Sequence, residues 1–298
     1  MRIAVIGSGA LGGYFGALLA RDGHDVTFTA RGQHLDAIRA NGLRITGQTE
    51  IRLAVDVTDD AGRIGPVDLV LLAVKATQLE GVLANLEALV GEQTAVVTLQ
   101  NGLEAPSLVA DVVGRDHVLP GVVRVYTRIA EPGVIDHMGG PGSITIGEWE
   151  NADTSRVAAI RAAFAAAGIP SPAPADIWQD LWCKVMFVVP TGMLGALADA
   201  LLGVQRTDLR ENLASIMVEV RQVGLAQGVD LADAVEQTLA FADQMPAEAT
   251  TSLHRDLDAG TPGELDPLVG GVRRQGQLAG VPTPLFDLGH ALLGRRLG

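Results

Sequence analysis

A doubly wound α/β sheet with an antiparallel extension, followed by an all-helical domain, is the fold this sequence predicts. Three observations predict it. A short apolar run, Arg2 to Ile6, passes directly into Gly7-Ser8-Gly9-Ala10-Leu11-Gly12 and then into a helical stretch. Further buried-strand runs alternate with helical segments as far as Gly168. Beyond Pro170, Pro172 and Pro174 no strand pattern recurs. Alternating strands and helices argue for a parallel sheet with crossovers, and helix after helix argues for a bundle. The expected domains are residues 1–174 and 175–298.

The opening strand and its glycines come first. In G-x-G-x-x-G, Gly7 permits the tight turn off the strand. Gly9, without a side chain, lets a pyrophosphate approach the backbone, and Gly12 lets the following helix pack close to the sheet. That helix, roughly Leu11 to Asp22, would aim its unpaired N–H groups at the anion. A strand before and a helix after are the context that makes the motif a dinucleotide fingerprint. Gly7, Ser8, Gly9, Ala10, Leu11 and Gly12 are therefore the expected cofactor contacts of a Rossmann-type domain. The second strand, Asp25 to Thr29, should end near the adenosine ribose. An NAD site places an acid there to accept from the 2′-hydroxyl. This chain has Arg31, whose guanidinium can hold a 2′-phosphate bidentately and stack on adenine. NADP(H) is the expected cofactor.

Leu35 to Asn41 reads as a short helix and Leu43 to Val57 as extended pieces. Asp68 to Val74 is a third buried strand with Lys75 just off its carboxyl end, and Ala95 to Leu99 is a fourth, ending in Gln100-Asn101-Gly102. Ligands of open α/β sheets bind at that edge. Lys75 and Asn101 are candidates to face the ligand, against the plainer readings of a surface lysine and a turn dipeptide. From Val118 to Trp149, three β-prone runs are separated by Pro132-Gly133 and by Gly139-Gly140-Pro141-Gly142, which predicts hairpin-connected strands. His137, with no partner motif nearby, is expected to be structural. Thr154 to Ala167 is a helix ended by Gly168.

After the prolines, Trp178–Lys184, Met193–Leu202, Leu209–Gln227, Leu231–Gln244, Pro267–Gly280 and Pro284–Leu293 read as helical. Val185 to Val204 is apolar and long enough to span a bilayer, but Pro190, Gly192, Gly195 and Asp199 interrupt it, and a buried helix is expected. Lys184 stands at the head of this segment, where apolar neighbours would desolvate it and lower its pKa. Such a lysine can give a proton to a carbonyl oxygen while a hydride arrives on the carbon; a helix-end charge is the alternative. Ser252 and Glu264 fall in SLHRDLDAGTPGELD, a polar stretch that could hold a substrate hydroxyl or carboxylate, or form a solvated loop.

Composition narrows the function classes. The net charge is −13. Residues 1–174 carry 13 Lys+Arg and 19 Asp+Glu (−6), and residues 175–298 carry 9 and 16 (−7), so neither half offers nucleic acid a basic face. The single cysteine, Cys183, rules out an internal disulfide and fits a reducing compartment. The first strand starts almost at Met1, so no signal peptide is expected and the protein should be cytoplasmic. No membrane partner and no metal are expected.

At this point the residues resemble the ketopantoate reductase (2-dehydropantoate 2-reductase) family over essentially the whole chain. The resemblance is carried by GSGALG at 7–12, ARGQHLDAIRANGLRI at 30–45, VKA at 74–76, QNG at 100–102 and GVIDHMGGPGSITIG. Trp182 with Lys184, and Ser252 with Glu264 twelve residues on, complete it. It implies a Rossmann domain plus a helical domain, with NADPH and a 2-oxo acid meeting in a cleft. It implies Lys184 as general acid, Asn101 and Lys75 at cofactor and substrate, and Ser252 and Glu264 as substrate anchors. One departure stands out. The family places asparagines four and eight residues after the catalytic lysine, where this chain has Val188 and Gly192, which predicts an apolar, roomier wall. Three readings follow: a reductase of ketopantoate, the same chemistry on a more hydrophobic 2-oxo acid or ketone, and a non-enzymatic NADP(H)-binding sensor. If the chain self-associates, the helical domain is the expected face of a homodimer.

Overall fold

The computed structural model describes residues 1–297. Contacts divide it into two units, Met1–Gln100 with Ala105–Ile177, and Asn101–Glu104 with Trp178 onward. The first unit runs β1 (Arg2–Ile6), α1 (Ala10–Arg21), β2 (Asp25–Thr29), α2 (Gly32–Asn41), β3 (Leu43–Gly47), β4 (Ile51–Leu53), β5 (Asp56–Thr58), β6 (Leu69–Leu72), α3 (Glu80–Leu86), β7 (Ala95–Thr98), α4 (Ala105–Val113), β8 (Val118–Glu131), β9 (Val134–Ile146) and α5 (Ser155–Ala166). Its nine strands form one sheet in the order β4-β3-β9-β8-β7-β6-β1-β2-β5. The run from β8 to β5 is parallel, and β9 adds to it antiparallel to β8.

Strand side chains alternate between faces, and both faces here are covered. Ile3 and Val5 of β1 pack with Phe15, Leu19, Ile160 and Phe164 from α1 and α5. Ala4 and Ile6 pack with Val82, Leu86 and Val109 from α3 and α4. Each fully buried Val, Leu or Ile contributes about 1.5–3 kcal/mol, which is why β1, β6 and β7 read as continuous apolar runs.

Three expectations about elements are corrected. Residues 118–149 hold two long strands and not three. The Gly139–Gly142 cluster lies inside β9, and the β8–β9 ladder shifts register between Arg124 and Tyr126 opposite it. Positive φ at Gly139, Gly140 and Gly142 lets the ladder bulge where a turn was expected. The boundary expected at residue 174 falls instead at Ile177: the Ile144 N–H donates to the Pro170 carbonyl (3.0 Å), and the Ile177 N–H to Asn151 Oδ1 (2.9 Å). These bonds keep the chain on the sheet unit as far as Ile177.

The third correction concerns the second unit, whose helices are α6 (Ile177–Ala198), α7 (Leu202–Gln205), α8 (Arg210–Ala226), α9 (Ala234–Gln244), α10 (Ser252–Asp258), α11 (Gly271–Ala279) and α12 (Pro284–Leu297). A single helix, α6, replaces the two expected around Pro190. The Thr191 hydroxyl bonds back to the Phe187 carbonyl (2.5 Å) in the turn that Pro190 disturbs. Among the described residues α6 is the one helix long and apolar enough to cross a membrane, and 67% of that apolar window is buried in the protein. Met186, Val189, Met193 and Ala196 are its core residues. The stretch read as polar also hides α10, whose Leu253 and Leu257 are buried. Thr251 caps it, Oγ1 accepting from the His254 N–H (3.2 Å).

Candidate active site

In the sheet unit, the glycine loop lies past the carboxyl end of β1. Gly7 has φ +95°, and a Cβ there would sit 2.8 Å from the Val74 nitrogen. At Gly12 a Cβ would collide with the Gly7 carbonyl. Gly9 differs: it caps α1, and a Cβ there would meet nothing within 4 Å. Beside it the buried Ser8 Oγ has no hydrogen-bond partner. Bare backbone at a helix N-terminus and an orphaned hydroxyl fit a pyrophosphate.

Two side chains that the sequence reading passed over hold this loop. Thr29 Oγ1 accepts from the Gly7 N–H (2.8 Å) and donates to the Val5 carbonyl (3.2 Å). His34 Nδ1 accepts from the Gly133 N–H (3.1 Å), so Nε2 carries the ring proton and donates to the Ser8 carbonyl (2.8 Å). The only sequence signal for either was a polar residue within a few positions of the end of β2. Arg31 is exposed at the N-cap of α2, two residues past β2. Lys75 is exposed three residues beyond β6. Gln100 Nε2 donates to the Leu72 (2.9 Å) and Val74 (3.1 Å) carbonyls, holding the chain just before Lys75.

The helical unit brings Asn101, Lys184 and Glu264 together. Lys184 Nζ donates to Asn101 Oδ1 (2.9 Å), and Asn101 Nδ2 donates to Glu264 Oε2 (3.4 Å). An ammonium only donates and a carboxylate only accepts, so the two partners dictate which way the amide faces. Glu264 is buried, whereas Lys184 is half-buried on α6, not sealed as its neighbours suggested. The result is a cation and a buried carboxylate joined through one amide. Ser252, exposed on the first turn of α10, takes no part in these bonds among the described residues.

The wall on the same face of α6, one and two turns past Lys184, departs from expectation. Val188 is half-buried, as an apolar wall requires. Gly192 does not leave a roomier space. A Cβ at Gly192 would lie 2.7 Å from Thr251 Oγ1 and 3.2 Å from Leu253 Cβ. The N-terminal end of α10 fills that volume and presents a hydroxyl there. His137 is buried, bonded through Nδ1 to Thr49 Oγ1 (2.9 Å) and packed against Tyr14 with the rings tilted by 42° (4.5 Å between centroids). These contacts give it the structural role expected. Asp199, His254 and Asp258 gather their ligand atoms within 4.8 Å, but Arg296 stands 3.7 Å from Asp258 and already supplies a counter-charge.

Comparison with known proteins identifies relatives over the whole chain. The family model described as Ketopantoate reductase PanE/ApbA matches residues 3–151, and that described as Ketopantoate reductase PanE/ApbA C terminal matches residues 176–296. A 2-dehydropantoate 2-reductase of Mesorhizobium japonicum is 33% identical, covering 99% of this chain and 97% of the relative. Another, of Halobacterium salinarum, is 31% identical, with coverage of 96% and 95%. The crystal structure of a 2-dehydropantoate 2-reductase from Geobacter metallireducens superposes with a TM-score of 0.90 at 32% identity, covering 99% of both chains. With a sheet unit built around a G-x-G-x-x-G loop and a helical unit built around Lys184, Asn101 and Glu264, this chain belongs to the ketopantoate reductase family of oxidoreductases acting on CH–OH groups.

Proposed function

We propose that the protein reduces a 2-oxo acid of the ketopantoate class to the 2-hydroxy acid, with NADPH as reductant. The observation that carries this reading is the bond from Lys184 Nζ to Asn101 Oδ1, backed by buried Glu264. NADPH, when bound, supplies the hydride that goes to the keto carbon. Gly7, Ser8, Gly9, Ala10, Leu11 and Gly12 would hold its pyrophosphate, and Arg31 its 2′-phosphate. Lys75 would stand beside the cofactor. Lys184 orients the keto oxygen and gives it a proton, so the carbonyl C=O becomes C–OH and the lysine is left neutral until solvent reprotonates it. Asn101 aims the ammonium, and Glu264 and Ser252 hold the substrate's polar groups. Ketopantoate presents a carboxylate, a ketone and a hydroxyl, and each buried without a partner costs about 1–3 kcal/mol.

A second reading, preference for a more hydrophobic 2-oxo acid, is favoured by Val188 where the family pattern has an amide. NADPH oxidation across a panel of 2-oxo acids separates the two and also a sensor without turnover. Lys184→Ala should lower kcat by about 10²–10⁴-fold and leave NADPH affinity nearly unchanged. Turnover that survives Lys184→Ala would refute the assignment. We further propose a cytoplasmic enzyme of pantothenate biosynthesis. A homodimer through the helical unit is supported by exposed Leu278, Leu285, Leu288 and Leu292.

A further inference from the structure

Asn101 and Glu264 come from distant parts of the chain, and each has a carboxylate neighbour outside the Lys184 contacts. Glu104 follows Asn101 by three residues, and Asp266 follows Glu264 by two. Both carboxylates meet Arg274 of α11. Arg274 Nε donates to Glu104 Oε1 (2.8 Å) and Nη2 to Oε2 (2.7 Å), two parallel bonds of a fork on a carboxylate. Its Nη1 donates to both Asp266 oxygens (3.1 Å each), and Nη2 also reaches the Asp266 carbonyl (3.2 Å).

The surrounding backbone is shaped for this meeting. A Cβ at Gly270 would lie 2.6 Å from Asp266 Oδ1 and 3.1 Å from Arg274 Nη1. A Cβ at Gly271 would lie 3.4 Å from Glu104 Oε2. Gly102, with φ +98°, brings the loop against the Pro267 carbonyl, 3.2 Å from where its Cβ would stand. The Glu104 side chain is 22% exposed, so its charge is largely withdrawn from water and depends on the guanidinium. The Glu104 hydrogen bonds, with Asp266 adding to them, raise the Arg274 pKa further above its ordinary range.

We infer that Arg274 is a positioning residue: a single guanidinium, forked onto Glu104 and bonded to Asp266, aligns Asn101 with Glu264 and thereby aims Lys184. The inference rests on Lys184 being the proton donor. No lysine could replace Arg274, because an ammonium is a point donor and cannot fork onto one carboxylate while holding another.

The test uses the full chain with Arg274→Lys, which keeps the charge, and Glu104→Gln, which keeps the shape. Both should lower kcat by about 10- to 100-fold, since small misplacements at a reacting centre cost that much. NADPH affinity should change little, KM for the 2-oxo acid should rise by a smaller factor than kcat falls, and the pH limb belonging to Lys184 should move. Guanidinium ion should restore part of kcat to Arg274→Ala, and ammonium should not. A readout independent of turnover is the ¹⁵N side-chain amide signal of Asn101, identified by its loss in Asn101→Ala. It should shift or broaden in Arg274→Lys. An unmoved Asn101 amide overturns the inference, as does a fall in kcat accounted for entirely by a smaller folded fraction. If no 2-oxo acid supports NADPH oxidation by the parent protein while the Asn101 amide still moves in Arg274→Lys, the proposed function fails and with it the aiming of a proton donor, and only the alignment of Asn101 with Glu264 stands.

Discussion

Restoring the family's asparagines is the obvious way to test the substrate reading, and at Gly192 the structure predicts that it will fail for a steric reason. In Gly192→Asn the new Cβ would lie 2.7 Å from Thr251 Oγ1 and 3.2 Å from Leu253 Cβ and Cδ2. Thr251 must then rotate or α10 must retreat. Overpacking of this kind costs about 1–3 kcal/mol. Displacing the Thr251 hydroxyl also uncaps α10, worth about 1 kcal/mol. The total is about 2–4 kcal/mol, which lowers Tm by about 4 °C at the low end and more than 10 °C at the high end. Val188→Asn, at a half-buried position, should fold normally and on its own shift the ratio of kcat/KM toward ketopantoate. Thermal denaturation of both single variants, and of Gly192→Asn combined with Thr251→Gly, measures the coupling. The pair should be less destabilised than the sum of the singles, because Thr251→Gly removes the atom that the introduced asparagine would meet. A Gly192→Asn variant as stable as the parent, or strict additivity in the cycle, refutes the argument.

Other outcomes follow from the same geometry. Arg31→Ala should erase most of the preference for NADPH over NADH, a loss of about 1.5–3 kcal/mol of charge-assisted contact; equal cofactor affinities in the parent would sink that assignment. Glu264→Ala should raise KM more than it lowers kcat, since Glu264 is assigned to hold substrate; steady-state kinetics decide this. Glu148 is buried, which by itself would raise its pKa, but hydrogen bonds from Arg156 and Thr154 outweigh burial and lower it. The stability this contributes is present above about pH 4.5, the unperturbed value, and is lost as pH falls through the folded-state value. Arg156→Met should cost about 2 kcal/mol at pH 7, discounted for the partial exposure of Arg156. The deficit should shrink on acidification as the stranded carboxylate takes up a proton. A Tm difference that stays constant from pH 7 to pH 4 would contradict this.

Much of this architecture was legible from residue order. β1 with its glycines, β2, and the run from β6 to β7 declare themselves because strands buried on both faces need uninterrupted apolar residues. Lys184, Asn101 and Glu264 were each nominated, but the bond that unites them was not. The misreadings share a cause. Pro190 and the Gly139–Gly142 cluster are breakers in isolation, yet here a back-bonding Thr191 and a bulged ladder accommodate them. A short amphipathic helix such as α10 is easily lost among polar neighbours, because only Leu253 and Leu257 mark its buried side. Thr29, His34, Glu104 and Arg274 escaped for a different reason. Apart from Asp266, eight residues before Arg274, their partners lie tens to well over a hundred residues away, as with the separation of 170 between Glu104 and Arg274, and no local spacing encodes such pairs.

The turn just beyond Glu264 has a consequence of its own. Asp266–Gly270 is wound as a π-helix and runs without a break into α11. A π-turn holds one residue more than an α-helix needs for the same advance. That surplus residue sets the rotational phase of α11, since each residue of an α-helix turns it by about 100°. Deleting one residue from this turn would let it relax to ordinary helix and would change neither the apolar content nor the charge of α11. Arg274 would nonetheless swing about a quarter-turn off Glu104. Length variation at this one position among related chains would thus act as a dial on the bearing of α11, able to uncouple the guanidinium from the loop it holds without altering any residue that touches substrate.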